Sequence, residues 1–234
     1  MSEMNKCHVY FMPGLAASSK IFEHIKLSDS EYELHYLDWK LPDGDESLES
    51  YVKRMLLDVK HENPILVGVS FGGIIIQEMT KYISVQQLII ISSVCSSKEF
   101  PTRMHFAKNW KLYKIFPTTL FSNFEYLKHF MLGRHLKKRF EMYKMYMFMN
   151  DKKYLDWAFK NVINWEEHNL ILPENTIRIH GENDEVFPIQ YIDQTNCYII
   201  PKATHAMIVY KYKWFNQNLP IILKQTKYEK SANA

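Results

Sequence analysis

The stretch PILVGVSFGGIIIQEM, Pro64 to Met79, decides how this chain is read. PILVGV is a continuous apolar run of strand length, and FGGIIIQEM continues as a helix. Between them Gly68, Ser70 and Gly72 match G-x-S-x-G in a strand-to-helix context. A serine held on so sharp a turn needs glycine on both sides, because Cβ atoms there would collide with the neighbouring strand and helix. The turn lifts the Ser70 hydroxyl to the carboxyl edge of a sheet, and the amides opening the next helix favour negative charge beside it. Ser70 is therefore the candidate nucleophile; the alternative is a purely structural tight turn.

Outward from this stretch, strands and helices alternate. CHVYFM (Cys7 to Met12) reads as a buried strand ending at Pro13-Gly14, and Ser18 to Ile25 as a short helix opened by a serine cap. Tyr32 to Trp39 alternates as a strand, and Ser47 to Lys60 carries Leu48, Tyr51, Val52, Met55, Leu56 and Val59 on one helical face. Gln87 to Val94, Asn175 to Asp184 and Asn196 to Ala203 supply further strands, and His205 to Leu223 closes as a helix before a Lys-rich, frayed tail over residues 224–234. Such alternation predicts an α/β fold with a mainly parallel sheet covered on both faces. From 97 to 172 it stops, and four or so helical stretches rich in aromatics and methionine follow. We therefore expect a core of residues 1–96 and 173–234 carrying a helical insertion over 97–172.

A serine hydroxyl is a weak nucleophile and needs a base within hydrogen-bond reach, itself oriented by an acid. Asp184, just past a strand, and His205, on the loop after the last strand, follow Ser70 in the order Ser, Asp, His, at spacings of 114 and 21 residues. Glu182, Glu185 and Asp193 are the fallback acids. An acyl-transfer site also needs two backbone N–H donors aimed at the developing oxyanion. One is Phe71, directly after the nucleophile; the other is Leu15, with Gly14 allowing close approach after the first strand. His180, at a strand end, reads as structural. Cys95 reads as a buried thiol or part of the site floor, and Glu166-Glu167 as a solvated helix edge.

Together these motifs resemble the α/β-hydrolase superfamily along nearly the whole chain. GVSFGG is similar to its nucleophile elbow, Pro13-Gly14-Leu15 to its oxyanion loop, HGENDEVFP to its acid turn and ATHAMI to its histidine loop. The resemblance implies a six-stranded sheet flanked by helices and lacking that family's amino-terminal hairpin, with the insertion as its cap. Pro13 stands where many members have histidine, which touches donor geometry but removes no amide. Serine at the elbow, where an aspartate would stand, argues against haloalkane dehalogenase or epoxide hydrolase chemistry.

Composition narrows the remaining choices. At 234 residues and 47% apolar content the chain can bury a large core, and its apolar runs are far shorter than a membrane span needs. The opening MSEMNKCHVY lacks the apolar stretch of a secretory signal, and three scattered cysteines without CxxC suggest neither disulfides nor a thiolate zinc site. A cytoplasmic setting is expected. His61 begins an HENPI without a second histidine, and neither a P-loop nor G-x-G-x-x-G occurs, so no metal and no cofactor is expected. Only 7 glycines are present where about 16 would be usual, and five of them fall in the motifs above.

Charge is uneven: residues 98–150 hold 11 basic and 3 acidic side chains, whereas residues 1–97 hold 8 and 13. No nucleic-acid motif accompanies the basic segment, which reads first as a solvated helix face. The reading is thus a serine hydrolase acting on a small ester or acyl substrate, with thioester and carbon–carbon bonds open to the same trio. Two other readings use the same residues. One is a ligand receptor that keeps the fold without catalysis. The other is a peripheral membrane lipid hydrolase that docks through a basic, Met-rich cap.

Overall fold

The structure is a computed structural model that describes residues 6–112 and 145–232. Its strands are β1 (Cys7–Met12), β2 (Tyr32–Tyr36), β3 (Ile65–Val69), β4 (Gln87–Ile91), β5 (Thr176–Gly181) and β6 (Cys197–Ile200). They form one sheet in the order β2-β1-β3-β4-β5-β6, and every neighbouring pair is parallel. β3 and β4 are buried along their whole length, as continuous apolar runs in a sheet covered on both faces should be.

Two apolar layers do the covering. On one face Tyr10, Met12, Leu66 and Ile90 pack with α1 (Leu48–Leu56), α2 (Phe71–Met79) and α4 (Lys152–Asn164). On the other, Val9, Phe11, Val67 and Ile89 pack with a 3₁₀ turn at Ser19–Phe22 and with α5 (Met207–Tyr210) and α6 (Tyr212–Ala232). α1 buries Tyr51, Val52 and Met55 and is capped by Ser47 Oγ, which accepts from Ser50 N at 3.1 Å.

The strand order reverses beside β1, with β2 on one side and β3 on the other. Met12 is paired with Gly68, so the loop after β1 comes out next to the turn after β3. Such a reversal opens a crevice at the carboxyl ends of the strands. Ser70 is placed there by the topology itself.

Some local expectations change. The serine-capped helix over Ser18 to Ile25 shrinks to the 3₁₀ turn, because Ser18 Oγ bonds Tyr146 O at 3.2 Å instead of capping. The closing helix is broken at Lys211, and its backbone stays helical to Ala232 where a frayed tail was expected. Of the segment between β4 and β5, α3 (Thr102–Asn109) and α4 are described and pack together. The expected helices over 113–144, with Met131, Gly133 and Met142, lie outside the described residues. Among the described residues no helix is long and apolar enough to cross a membrane.

Of the acid pair expected to form a solvated edge, Glu166 is exposed, whereas Glu167 is not. Glu166 pairs with Lys108 and, at 2.8 Å, with His168. Glu167 accepts from Ser96 Oγ at 2.6 Å and Ser97 N at 2.7 Å. Burial raises the Glu167 pKa, but those hydrogen bonds outweigh it and lower the value from 4.5 to about 2. A carboxylate depressed in the folded state stabilises the fold above its unfolded pKa and loses that contribution as pH falls through the folded value. We expect Glu167→Gln to flatten the loss of stability between about pH 4.5 and pH 2, measured by urea unfolding across that window.

Candidate active site

Ser70 joins β3 to α2 with φ 54° and ψ −121°, a conformation that non-glycine residues rarely adopt. Strain of this kind costs about 1–3 kcal/mol and must be held by its surroundings. Here Ser70 N donates to Ile91 O at 2.9 Å, while Ser70 O accepts from Gly73 N at 2.9 Å and Ser93 Oγ at 2.7 Å. A Cβ on Gly68 would lie 2.5 Å from Gly72 O, and one on Gly72 would run into Pro13 O and Met12 O at the end of β1. The two glycines thus let β3, α2 and the loop after β1 close on one another. Gly73 adds a demand the sequence motif did not include, since its Cβ would strike the Ser93 side chain at 2.7 Å.

His205, on the loop between β6 and α5, has Nε2 2.9 Å from Ser70 Oγ. Its Nδ1 lies 2.8 and 3.0 Å from the two oxygens of Asp184, whose side chain is fully buried in the turn after β5. A carboxylate can only accept, so Nδ1 carries the hydrogen and Nε2 turns its lone pair to the serine. Asp184 is itself oriented: Oδ1 accepts from Val186 N at 2.8 Å and Phe187 N at 2.9 Å. His180 braces the same turn, donating from Nε2 to Phe187 O at 2.8 Å. Burial lowers its pKa.

The fallback acids are engaged elsewhere. Glu182 accepts from Lys202 N at 2.7 Å and Asp193 from Thr195 N at 3.0 Å. Glu185 accepts from the His205 backbone amide at 3.5 Å, while both close contacts of the His205 Nδ1 atom are to Asp184.

Gly14 lies against the elbow, where an added Cβ would be 3.4 Å from Ser70 Cβ. The loop is held by groups on either side of Leu15. Gly14 O accepts from Trp39 Nε1 at 2.8 Å, and Ala16 N donates to Tyr154 Oη at 3.2 Å, with Ala16 at φ 62°. The amides of Leu15 and Phe71 are bonded to no acceptor among the described residues. Trp39 and Tyr154 were not found from sequence; the one signal was that a buried Trp or Tyr usually gives its polar tip a partner. Arg103 was missed too. Its Nη2 donates to Glu185 O at 2.6 Å and Val186 O at 2.7 Å, tying α3 to the acid turn.

Above Ser70 and His205 lies a cavity of about 670 Å³. Its walls are apolar, with Met104 from α3, Phe159, Val162 and Ile163 from α4, and Met147 and Ile208 beside them. Arg103 is the one charged residue among its described lining. Cys95 does not reach this cavity, and burial pushes its thiol up to about 12. The segment between β4 and β5 is also stitched to the loop after β1, because Phe148 N and Met149 N both donate to Ala16 O, at 2.9 and 3.2 Å.

No protein-family model matches the sequence, and no curated protein resembles it in sequence. Solved structures do resemble the fold. An esterase from Exiguobacterium antarcticum superposes with a TM-score of 0.65 at 15% identity, over 94% of this chain and 92% of its own. MenH from S. aureus gives 0.64 at 16% identity over 96% of each chain. An enol-lactonase from Burkholderia xenovorans LB400 gives 0.64 at 12%, over 96% of this chain and 94% of its own. The shared fold is the α/β-hydrolase fold.

Proposed function

We propose that the chain is a serine hydrolase that cleaves a carboxylic ester or a related acyl bond of a small, largely apolar substrate through an acyl-enzyme. The observation that carries this reading is the unbroken hydrogen-bond chain from Ser70 Oγ through His205 to buried Asp184. In the proposed mechanism Ser70 Oγ attacks the carbonyl carbon as His205 Nε2 takes its proton. The amides of Leu15 and Phe71 hold the oxyanion. His205 then protonates the departing alcohol or thiol, and water, deprotonated by the same nitrogen, releases the acid and regenerates Ser70. Asp184 steadies the imidazolium formed at each transfer. A receptor has no need of this relay, and the strain stored at Ser70 adds to the case for catalysis.

Residues 97–172 act in this reading as a cap that chooses the acyl group by apolar contact. Each methylene buried in the cavity contributes about 0.8 kcal/mol, so kcat/KM along a series of neutral acyl esters should rise up to about fourfold per carbon until the cavity is full. The test is that series at two ionic strengths. A flat profile, with strong salt dependence for an anionic analogue, would favour recognition by the basic excess and sink the apolar cap.

The lipid-hydrolase reading also has an observation behind it. Phe106, Trp110 and Phe148 are more than half exposed on the insertion, at 54, 69 and 62%, and Lys111 adjoins Trp110. Faster hydrolysis of esters presented in vesicles than of the same esters free in solution would select it.

A further inference from the structure

At the other end of the strands from Ser70, three histidines from distant parts of the sequence meet. His8 lies on β1 and His35 on β2, while His61 lies between α1 and β3, four residues before the first residue of that strand. β3 alone is five residues, so roughly 16 Å of strand separates this end from the elbow. The register His8↔Glu33 and Tyr10↔His35 sets His8, Tyr10, Glu33 and His35 on one face of the paired strands. One nitrogen from each histidine lies within 4.8 Å of the other two, and this is the one such cluster among the described residues.

We propose that His8, His35 and His61 bind a divalent transition metal of borderline softness, with zinc as the reference ion and Glu33 as a fourth ligand. His8 Nδ1 and His35 Nε2 are 3.0 Å apart, and two nitrogens on one tetrahedral zinc sit about 3.3 Å apart, so these rings need to part by only a few tenths of an ångström. The same two nitrogens face the Glu33 carboxylate, at 3.7 Å from His8 and 3.8 Å from His35. Three imidazoles and a carboxylate suit zinc or its neighbours and are a poor match for magnesium or calcium, which take oxygen ligands.

His61 is the ring that has to turn, because it now stacks flat on His8 with centroids 3.4 Å apart. Its Nδ1 is already on Tyr10 Oη at 2.7 Å, and that oxygen also accepts from Lys60 N at 3.0 Å. A ligating histidine almost always gives its second nitrogen such a partner, which assigns Nε2 of His61 to the metal. His8 and His35 are each 22% exposed at the side chain, so an ion can enter from solvent. Bound there, it would tie the edge strand β2 to β1 and to the start of β3.

The test is titration of chelator-treated full-length protein with zinc chloride alone, followed calorimetrically, with thermal unfolding in parallel. One zinc per chain and a raised Tm are expected, with no response to magnesium. His35→Ala and His61→Ala should each weaken zinc binding more than tenfold, and Tyr10→Phe about 10–100-fold. His61 lies outside the sheet, so His61→Ala keeps the comparison usable if a strand variant fails to fold. Cobalt should show the visible absorption of a tetrahedral site, lost in His61→Ala. No binding by the wild type, or binding unchanged in both histidine variants, would overturn the proposal. The readout is affinity and is independent of any hydrolytic activity.

Discussion

Ser70→Ala is expected to abolish covalent labelling by a fluorophosphonate and to lower kcat on any ester substrate by roughly four to six orders of magnitude. Among the described residues Ser70 is the one hydroxyl placed on His205 Nε2, and without it the proposed oxyanion donors and the cavity remain but no acyl-enzyme can form. Asp184→Asn tests the other end of the relay. Losing the acceptor for Nδ1–H favours the wrong tautomer, which costs about 10⁴ in kcat where geometry is otherwise kept. Labelling mapped by mass spectrometry decides the matter. Label retained on another serine in Ser70→Ala, or an Asp184→Asn variant as fast as the wild type, would refute the assignment. Circular dichroism on both variants separates chemistry from folding.

The parts of this site that could be read from the sequence are those whose demands are local. Gly68, Ser70 and Gly72 are confined to five residues, and Asp184 and His205 each follow a strand closely enough to be placed at a strand end. What stayed hidden depends on distant chain segments. Trp39 reaches Gly14 over 25 residues, and Tyr154 reaches Ala16 over 138. Their indole and hydroxyl are ordinary core groups until the fold brings the loop after β1 to them. The histidine cluster escaped for the same reason, since its members lie 27 and 26 residues apart and no ligand motif has that spacing. Capping was misread at Ser18 because a propensity rule cannot know that Tyr146 offers a better acceptor. Glu167 was misread as solvated because the serines that claim it lie 71 and 70 residues earlier.

The largest stability effect should come from a pair no motif announced. Arg178 of β5 and Glu99, in the turn before α3, have side chains only 7 and 8% exposed and meet in a fork, with both Nη–Oε distances at 2.7 Å. Glu99 also accepts from Cys95 N at 2.7 Å and Asp193 N at 2.9 Å, while Arg178 donates to Asp193 O at 2.8 Å. Every lone pair of the carboxylate is spoken for, so its removal strands one buried guanidinium and two amides. Breaking a buried pair from one side costs about 3–5 kcal/mol, whereas replacing both partners by apolar groups of similar volume is often nearly neutral. Glu99→Ala should therefore lower Tm by about 6–20 °C, and Glu99→Leu with Arg178→Met should recover most of that loss. Calorimetry on the two singles and the double closes the cycle, and a double variant no better than the singles would mean that the fork itself contributes net stability. Glu99 opens the insertion and Arg178 leads along β5 to the Asp184 turn, so the same variant should lose fluorophosphonate labelling at the temperature where it unfolds. A Glu99→Ala protein that melts with the wild type would show that its four hydrogen bonds are matched by water in the unfolded chain and that the fork is idle.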